Sequence, residues 1–209
     1  MYELSLNIMD IAQNSIRANA GLVSIDVTVN EAGDMLEIVI ADDGDGMSEE
    51  VLRAVSDPFF TTRTTRKIGL GIPYYEMVAK MCGGEFDLSS SPGAGARVSA
   101  SFRLSHIDRA PLGDMGQTVA LLAGANPQID FVYTLTRKNA AADTGAQTAA
   151  ADPGAQAAAA GCADAKFAFD TREIKELLGD IGIDSPEIVV YMQSYINENS
   201  EIITGGIAL

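Results

Sequence analysis

Three groups of side chains have the types and spacing to act on one ligand. The first is Asp42, in Ala41-Asp42-Asp43-Gly44-Asp45-Gly46-Met47. A carboxylate delivered at a strand end can accept a hydrogen from the exocyclic amine of a flat base. Glycines at alternate positions, Gly44 and Gly46, would leave no Cβ in the way of the ring. The second group is Asp10, Asn14 and Arg17, spaced four and three apart so that they share one stripe of a helix. Asn14 could coordinate Mg²⁺ through its side-chain oxygen, since hard cations take oxygen ligands. Asp10 could orient or deprotonate an attacking water or hydroxyl. The third is Thr61-Thr62-Arg63-Thr64-Thr65-Arg66-Lys67, a basic stretch that runs into Ile68-Gly69-Leu70-Gly71. Glycines ahead of a helix let backbone N–H groups point at phosphate oxygens, and Arg63, Arg66 and Lys67 could neutralise a terminal phosphate. Each group alone has a plainer reading: an Asp/Gly surface turn, a solvated helix face, an exposed basic loop. Their fixed order along the chain favours the chemical one.

The elements that must position these groups are legible from periodicity. Leu4, Ile8, Ile11, Ala12 and Ile16 predict a helix over 3–18 with one apolar face. Val23, Ile25, Val27 and Val29 alternate with polar residues and predict a strand. A turn at Glu31-Ala32-Gly33-Asp34 leads to a second strand, 35–40, as its hairpin partner, with Asp42 at its end. A short helix over 48–56 has Ser48 as N-cap, and Asp57-Pro58-Phe59-Phe60 stops it. Tyr74 to Met81 reads as a helix ended by Gly83-Gly84.

Composition narrows the function. With 14 Lys plus Arg against 29 Asp plus Glu, the net charge of −15 argues against nucleic acid and anionic membranes as partners. Two cysteines make neither a disulfide framework nor a metal set, which suits a reducing compartment such as the cytoplasm. The N-terminus does not read as a signal peptide, and the apolar run 119–123 is too short to span a bilayer.

The combination resembles the Bergerat-fold, or GHKL, ATPases, which include gyrase, heat-shock chaperone, histidine kinase and MutL-type domains. "DIAQNSIRANA" is similar to the family's N box and "DDGDG" to its first glycine box. "DPFFTTRTTRKIGLGIPYYEMVAKMCGG" looks like the histidine-kinase F box, ATP lid and second glycine box, and "SPGAGARVSASF" like the last glycine turn and closing strand. The resemblance covers roughly residues 4–104. It implies an α+β fold, a two-layer sandwich of a mixed sheet with helices on one face. It implies that ATP and Mg²⁺ bind, with Asn14 on the metal and Asp42 on the adenine amine. Gly44 and Gly46 would shape the base pocket, Phe59 and Phe60 would support a lid that includes Thr61 and Thr62, and Gly69, Leu70 and Gly71 would meet the phosphates. Arg17 matches a basic position of the N box. The departures are Asp10 where hydrolysing members carry Glu and many histidine kinases Asn, Lys67 in place of a leading glycine, and Ala96 in place of a small hydroxyl residue.

The only histidine, His106, lies beyond the closing strand and reads as a surface or core residue. The phosphoacceptor hairpin that histidine kinases carry ahead of the N box is expected to be absent, because the chain begins only a few residues before it. The expected activity is therefore phosphotransfer to a partner in trans by a histidine-kinase-like enzyme, or else an ATP-hydrolysing or ATP-gated switch. Residues 105–209 are expected to form a small C-terminal α/β module. Its elements are a helix over 115–123, a strand over 129–136, a second strand over 166–169, and helices ending at Leu178 and running from Glu187 to Asn197. Residues 139–165, low in complexity, would be a mobile loop inserted between the two strands. The tail resembles that of stand-alone ATP-binding proteins encoded near iron-hydrogenase genes, which implies a hydrogenase-linked protein partner bound through the lid or this module.

Overall fold

A computed structural model describes residues 3–55, 71–138, 164–179 and 181–205. The first helix, α1 (Leu4–Arg17), buries Leu4, Ile8, Ile11 and Ala12 at the predicted spacing. Glu3 provides no side-chain cap at its start. The carbonyls of Pro111 and Leu112 instead accept from the amides of Leu4 (2.9 Å) and Ser5 (2.8 Å). Two of the helix's orphan donors are thus satisfied from the other half of the chain. Asn19, in the left-handed region at φ 57, ends the element.

Next come β1 (Leu22–Asn30) and β2 (Met35–Asp42), an antiparallel hairpin. The register places Ile25 opposite Ile40, Val27 opposite Ile38 and Val29 opposite Leu36, so these six apolar residues share one face. A short helix α2 (Glu49–Val55) follows, and then α3 (Gly71–Met81). Beyond it, β3 (Phe86–Ser90) and β4 (Ala96–Arg103) close the first half, β4 pairing with β2 and β3 with β4. The strand β3 carries only a half-buried alternation of Phe86 and Leu88, which hid it from periodicity. Ser99 and Ser101 lie on the face opposite Val98, Ala100 and Phe102, as alternation requires.

The second half supplies α4 (Met115–Ala125), β5 (Asp130–Lys138), β6 (Ala165–Asp170), α5 (Thr171–Leu178) and α6 (Pro186–Thr204). The two strands expected to flank the insertion do pair with each other. The last helix outruns the expected 187–197 and stops where Gly205 turns left-handed, its amide bonded to the carbonyl of Glu201. Past residue 104 the chain returns to the sheet it has just left. β5 lies parallel to β1, and the strand order is β3-β4-β2-β1-β5-β6.

The result is a mixed six-stranded sheet with its apolar face under a layer of helices, an α+β sandwich of two layers. In that layer α1 packs between α3 and α4, and α4 packs on α6. The opposite face carries Ser24, Asp26, Thr28, Glu37, Ser99 and Ser101. One continuous core includes Val27, Ile38, Phe102, Phe131 and Met192, drawn from both halves.

Phe131, fully buried on β5, is where that shared core is most exposed to test. Phe131→Ala should cost about 3–5 kcal/mol by removing a buried ring. Urea unfolding should then show one transition at a lower midpoint, with both halves lost together, rather than an unaffected first half.

Candidate functional site

Asp42 ends β2, opposite Val23 of β1. Its carboxylate is held from three directions. The Ser15 hydroxyl donates to Oδ2 at 2.6 Å, and the amides of Gly44 (3.0 Å) and Ala96 (3.2 Å) donate to Oδ1. An ionised carboxylate offers about four lone-pair directions. Three are taken by protein, which leaves one on Oδ2. The same residue lines a cavity of about 350 Å³.

Glycine shapes this corner for a reason other than the one expected. A Cβ on Gly44 would sit 2.5 Å from the carbonyl oxygen of Ala18, and one on Gly46 (φ +67) 2.0 Å from that of Ser91. The space freed by the missing side chains is therefore filled by backbone, not left for a ring. These glycines let the end of α1, the 42–47 loop and the 91–95 turn come together. Asp45 N bonds to Ala18 O and Gly93 N to Asp45 O, both at 2.7 Å. The Ser90 hydroxyl joins the same corner, accepting from Met47 N at 2.9 Å and donating to Gly95 O at 2.6 Å. Gly46 still lines the cavity; Gly44 does not.

The cavity walls come from α1 (Ile11, Asn14, Ser15, Arg17), the loop and α2 (Met47, Val51, Val55), strands β3 and β4 (Leu88, Val98), and the first residues of α3 (Gly71, Ile72, Pro73). Apolar walls over a single free acceptor suit the faces and edge of a flat base. The start of α3 brings the positive end of a helix dipole, a setting for an anion. Gly71 is the one residue of Gly69-Leu70-Gly71 among those described, and it lines the cavity. Asp10 is exposed and close to it: the position of a Cβ on Gly71 lies 3.8 Å from the Asp10 Cβ. Phe59, Phe60, Thr61, Thr62, Arg63, Arg66, Lys67, Gly69 and Leu70 lie outside the described residues.

The polar stripe of α1 behaves as a unit. Arg17 donates to the Asn14 side-chain oxygen at 3.1 Å and to Gln13 Oε1 at 3.4 Å. An amide oxygen has two acceptor directions, so Asn14 keeps one for a cation. Among the described residues no three acidic, histidine or cysteine side chains gather as a metal cage. The arrangement fits a hard cation that brings most of its oxygens with it, from water and from phosphates.

Ser15 is the residue that periodicity missed. It falls on the stripe of Leu4, Ile8 and Ile11 and is as buried as they are, so a lone hydroxyl among core positions was the available signal. Ser90 gave no such signal, because its strand is weakly patterned.

The site is thus an acid at the end of a central strand of a mixed sheet, flooring a cavity under the helices. Residues 3–106 belong to the family of histidine kinase-, DNA gyrase B-, and HSP90-like ATPases. Within it the chain is similar to the sensor histidine kinase ZraS of Klebsiella oxytoca, 33% identical over 90 residues that cover 43% of this chain and 19% of that protein. It is also similar to a Shewanella frigidimarina protein described as a sensor, 30% identical over 109 residues, 52% of this chain and 16% of that one. The chain thus spans under a fifth of the length of these curated relatives. Among solved structures it is similar to the ATPase domain of Aquifex aeolicus MutL complexed with ADP, at 13% identity and a TM-score of 0.43, covering 64% of this chain and 60% of that one. The domain is similar to the catalytic domains of histidine kinases.

Removing the Ser15 hydroxyl tests whether Asp42 needs its restraint. Ser15→Ala should raise the Kd for ATP about tenfold or more, the usual worth of a hydrogen bond to a charged group. Titration calorimetry reads this directly, and an unchanged Kd would mean that the serine only packs α1 against β2.

Proposed function

We propose that the chain binds MgATP and passes the terminal phosphate to a residue of a separate protein, acting as a histidine-kinase-like phosphotransferase. The observation that carries this reading is the single free acceptor on Asp42, at the floor of a cavity that reaches the start of α3. The base would lie with its amine on Asp42 and its faces against Ile11, Met47, Leu88 and Val98. The triphosphate would then extend towards the first amides of α3. Asn14 would hold Mg²⁺, which when bound offsets charge on the phosphates. Arg17, already on Asn14, would swing to the phosphates or stay to orient the amide. Asp10, beside Gly71, is placed to orient the accepting group.

Transfer in trans is supported by where the histidine lies. His106 sits in the turn after β4, its Nδ1 accepting from the Asp108 amide at 3.2 Å. Ala96, at the Asp42 end, and Arg103, at the His106 end, bound the eight residues of β4. That is about 23 Å of strand. The lone histidine of this chain is thus at the wrong end of its own sheet to take a phosphate from this site. A protein acceptor would reach the site past the segment that follows α2 or by docking on the second half; a hydrogenase-linked partner is the one its tail suggests.

A second reading, an ATP-hydrolysing or ATP-gated switch, is favoured by the exposed carboxylate of Asp10, which could direct water as readily as a partner's side chain. One experiment separates the two. With γ-labelled ATP and a soluble extract of the source cells, label should move to a polypeptide, be lost in Asn14→Ala, and persist in Asp10→Asn. Label confined to ATP and free phosphate, with release abolished in Asp10→Asn, would reject phosphotransfer in favour of the switch.

A further inference from the structure

The strand β6 is an edge of the sheet: β5 pairs with it on one side, and no described strand lies on the other. Which of its backbone groups look outward follows from β5. Phe131 N donates to Thr171 Oγ1, on the β6 side, at 2.8 Å, and Asp130 N to Gly21 O, on the β1 side, at 2.9 Å. Alternation along β5 then turns Tyr133, Leu135 and Arg137 towards β6, where they pair with Phe169, Phe167 and Ala165. The amides and carbonyls of Lys166 and Ala168 therefore point away from the sheet. So does the amide of Asp170, whose carbonyl opens α5. Lys166 and Ala168 are exposed.

This edge is self-complementary about Ala168. When two copies pair antiparallel with Ala168 opposite its own counterpart, the two alanines exchange N–H···O bonds in both directions. Lys166 of each copy then stands opposite Asp170 of the other, a cross-strand pair of opposite charge. A lone lysine on an edge ordinarily discourages pairing. Lys166, which forms no ion pair among the described residues, here meets a carboxylate. The other edge, β3, lacks this symmetry: centred on Leu88, its one charge, Asp87, would face Ser89.

The helix layer carries the same symmetry. A two-fold axis through this pairing keeps both helix layers on one side of the sheet. Because α6 packs on both β5 and β6, it and its copy lie about two strand spacings apart, roughly 10 Å, the distance at which helices pack. Tyr195 touches Phe167 and Phe169, at ring-centroid distances of 5.8 and 6.3 Å, and so sits at the level of Ala168. Tyr191 stacks on it at 6.0 Å. Tyr191, Tyr195 and Ile202 share one stripe of the helix and are all exposed. Antiparallel packing about Tyr195 sets Ile202 of one helix against Ile188 of the other. We propose that the chain forms a two-fold homodimer through β6, the two sheets joining into one and α6 packing on its copy. The interface uses no residue that lines the nucleotide cavity.

Analytical ultracentrifugation of the full chain should show a reversible species of twice the 22.0 kDa of one chain, growing with concentration. An edge strand tolerates proline where its N–H faces solvent, but Ala168→Pro removes the central hydrogen bonds of the pairing. It should raise the dimer Kd at least about tenfold, with circular dichroism unchanged. Tyr191→Glu, at an exposed position, should weaken the dimer as well and keeps the test sound should the proline disturb β6. The register is tested by cross-linking in a Cys162→Ser background. At position 168 the two Cα atoms would lie about 5.5 Å apart, within reach of a disulfide, so Ala168→Cys should cross-link on oxidation. At position 166 they would lie about 14 Å apart, so Lys166→Cys should not. A monomer at every concentration up to about 100 μM, a dimer untouched by Ala168→Pro and Tyr191→Glu, or equal cross-linking at the two positions would overturn the proposal and leave this edge to a different strand.

Discussion

The nucleotide-binding half depends on how Asp42 is restrained. Ser15 reaches its carboxylate from α1, Gly44 from the loop that follows β2, and Ala96 from the start of β4. These segments meet because Gly44, Gly46 and Gly95 have no Cβ to separate them; on Gly95 such an atom would lie 1.8 Å from the Asp42 carbonyl oxygen. A free carboxylate would sample rotamers and hydrate all its lone pairs. Held by three donors, it presents one acceptor in one direction. Such a held acceptor suits the edge of a flat base, because its orientation costs nothing further when a ligand arrives.

The second half of the chain bears on the same site through the backbone. Its strand β5 is the parallel neighbour of β1, and β1 is the hairpin partner of the strand that ends at Asp42. Its residues Pro111 and Leu112 terminate α1 at the end opposite Asn14 and Ser15. Tyr133, a buried residue of β5, is paired in register with Ile25, which is paired in turn with Ile40, two residues before Asp42.

Most of this was legible in the residues, and the parts that were not have physical reasons. Strong alternation in Val23–Val29 and Leu36–Ile40, and helical spacing in Leu4–Ile11, gave the frame around Asp42, because buried faces demand apolar side chains at the period of the element. Weak alternation hid β3, an edge strand with one face half open. The reach of the second half into the same sheet was hidden too, since parallel pairing of β5 with β1 bridges more than a hundred residues and leaves no local mark. Spacing shows that a Cβ is missing at Gly44 and Gly46, not that backbone closes on both while only Gly46 lines the cavity. Ser15 went unnoticed because a small polar residue in a helix is ordinary until the depth of its position is known.

The central claim is that Asp42 reads an amino group through one remaining acceptor on Oδ2. The most direct measurement is the pair of Kd values for ATP and inosine triphosphate, whose base carries an oxygen where adenine carries the amine, in the wild type and in Asp42→Asn. In the variant the amide oxygen should stay under the Gly44 and Ala96 amides, which turns the NH₂ towards the base. The account predicts that the wild type prefers ATP by about tenfold or more and that the variant loses or reverses this preference. Equal affinities in the wild type, or an ATP preference untouched by the substitution, would contradict it.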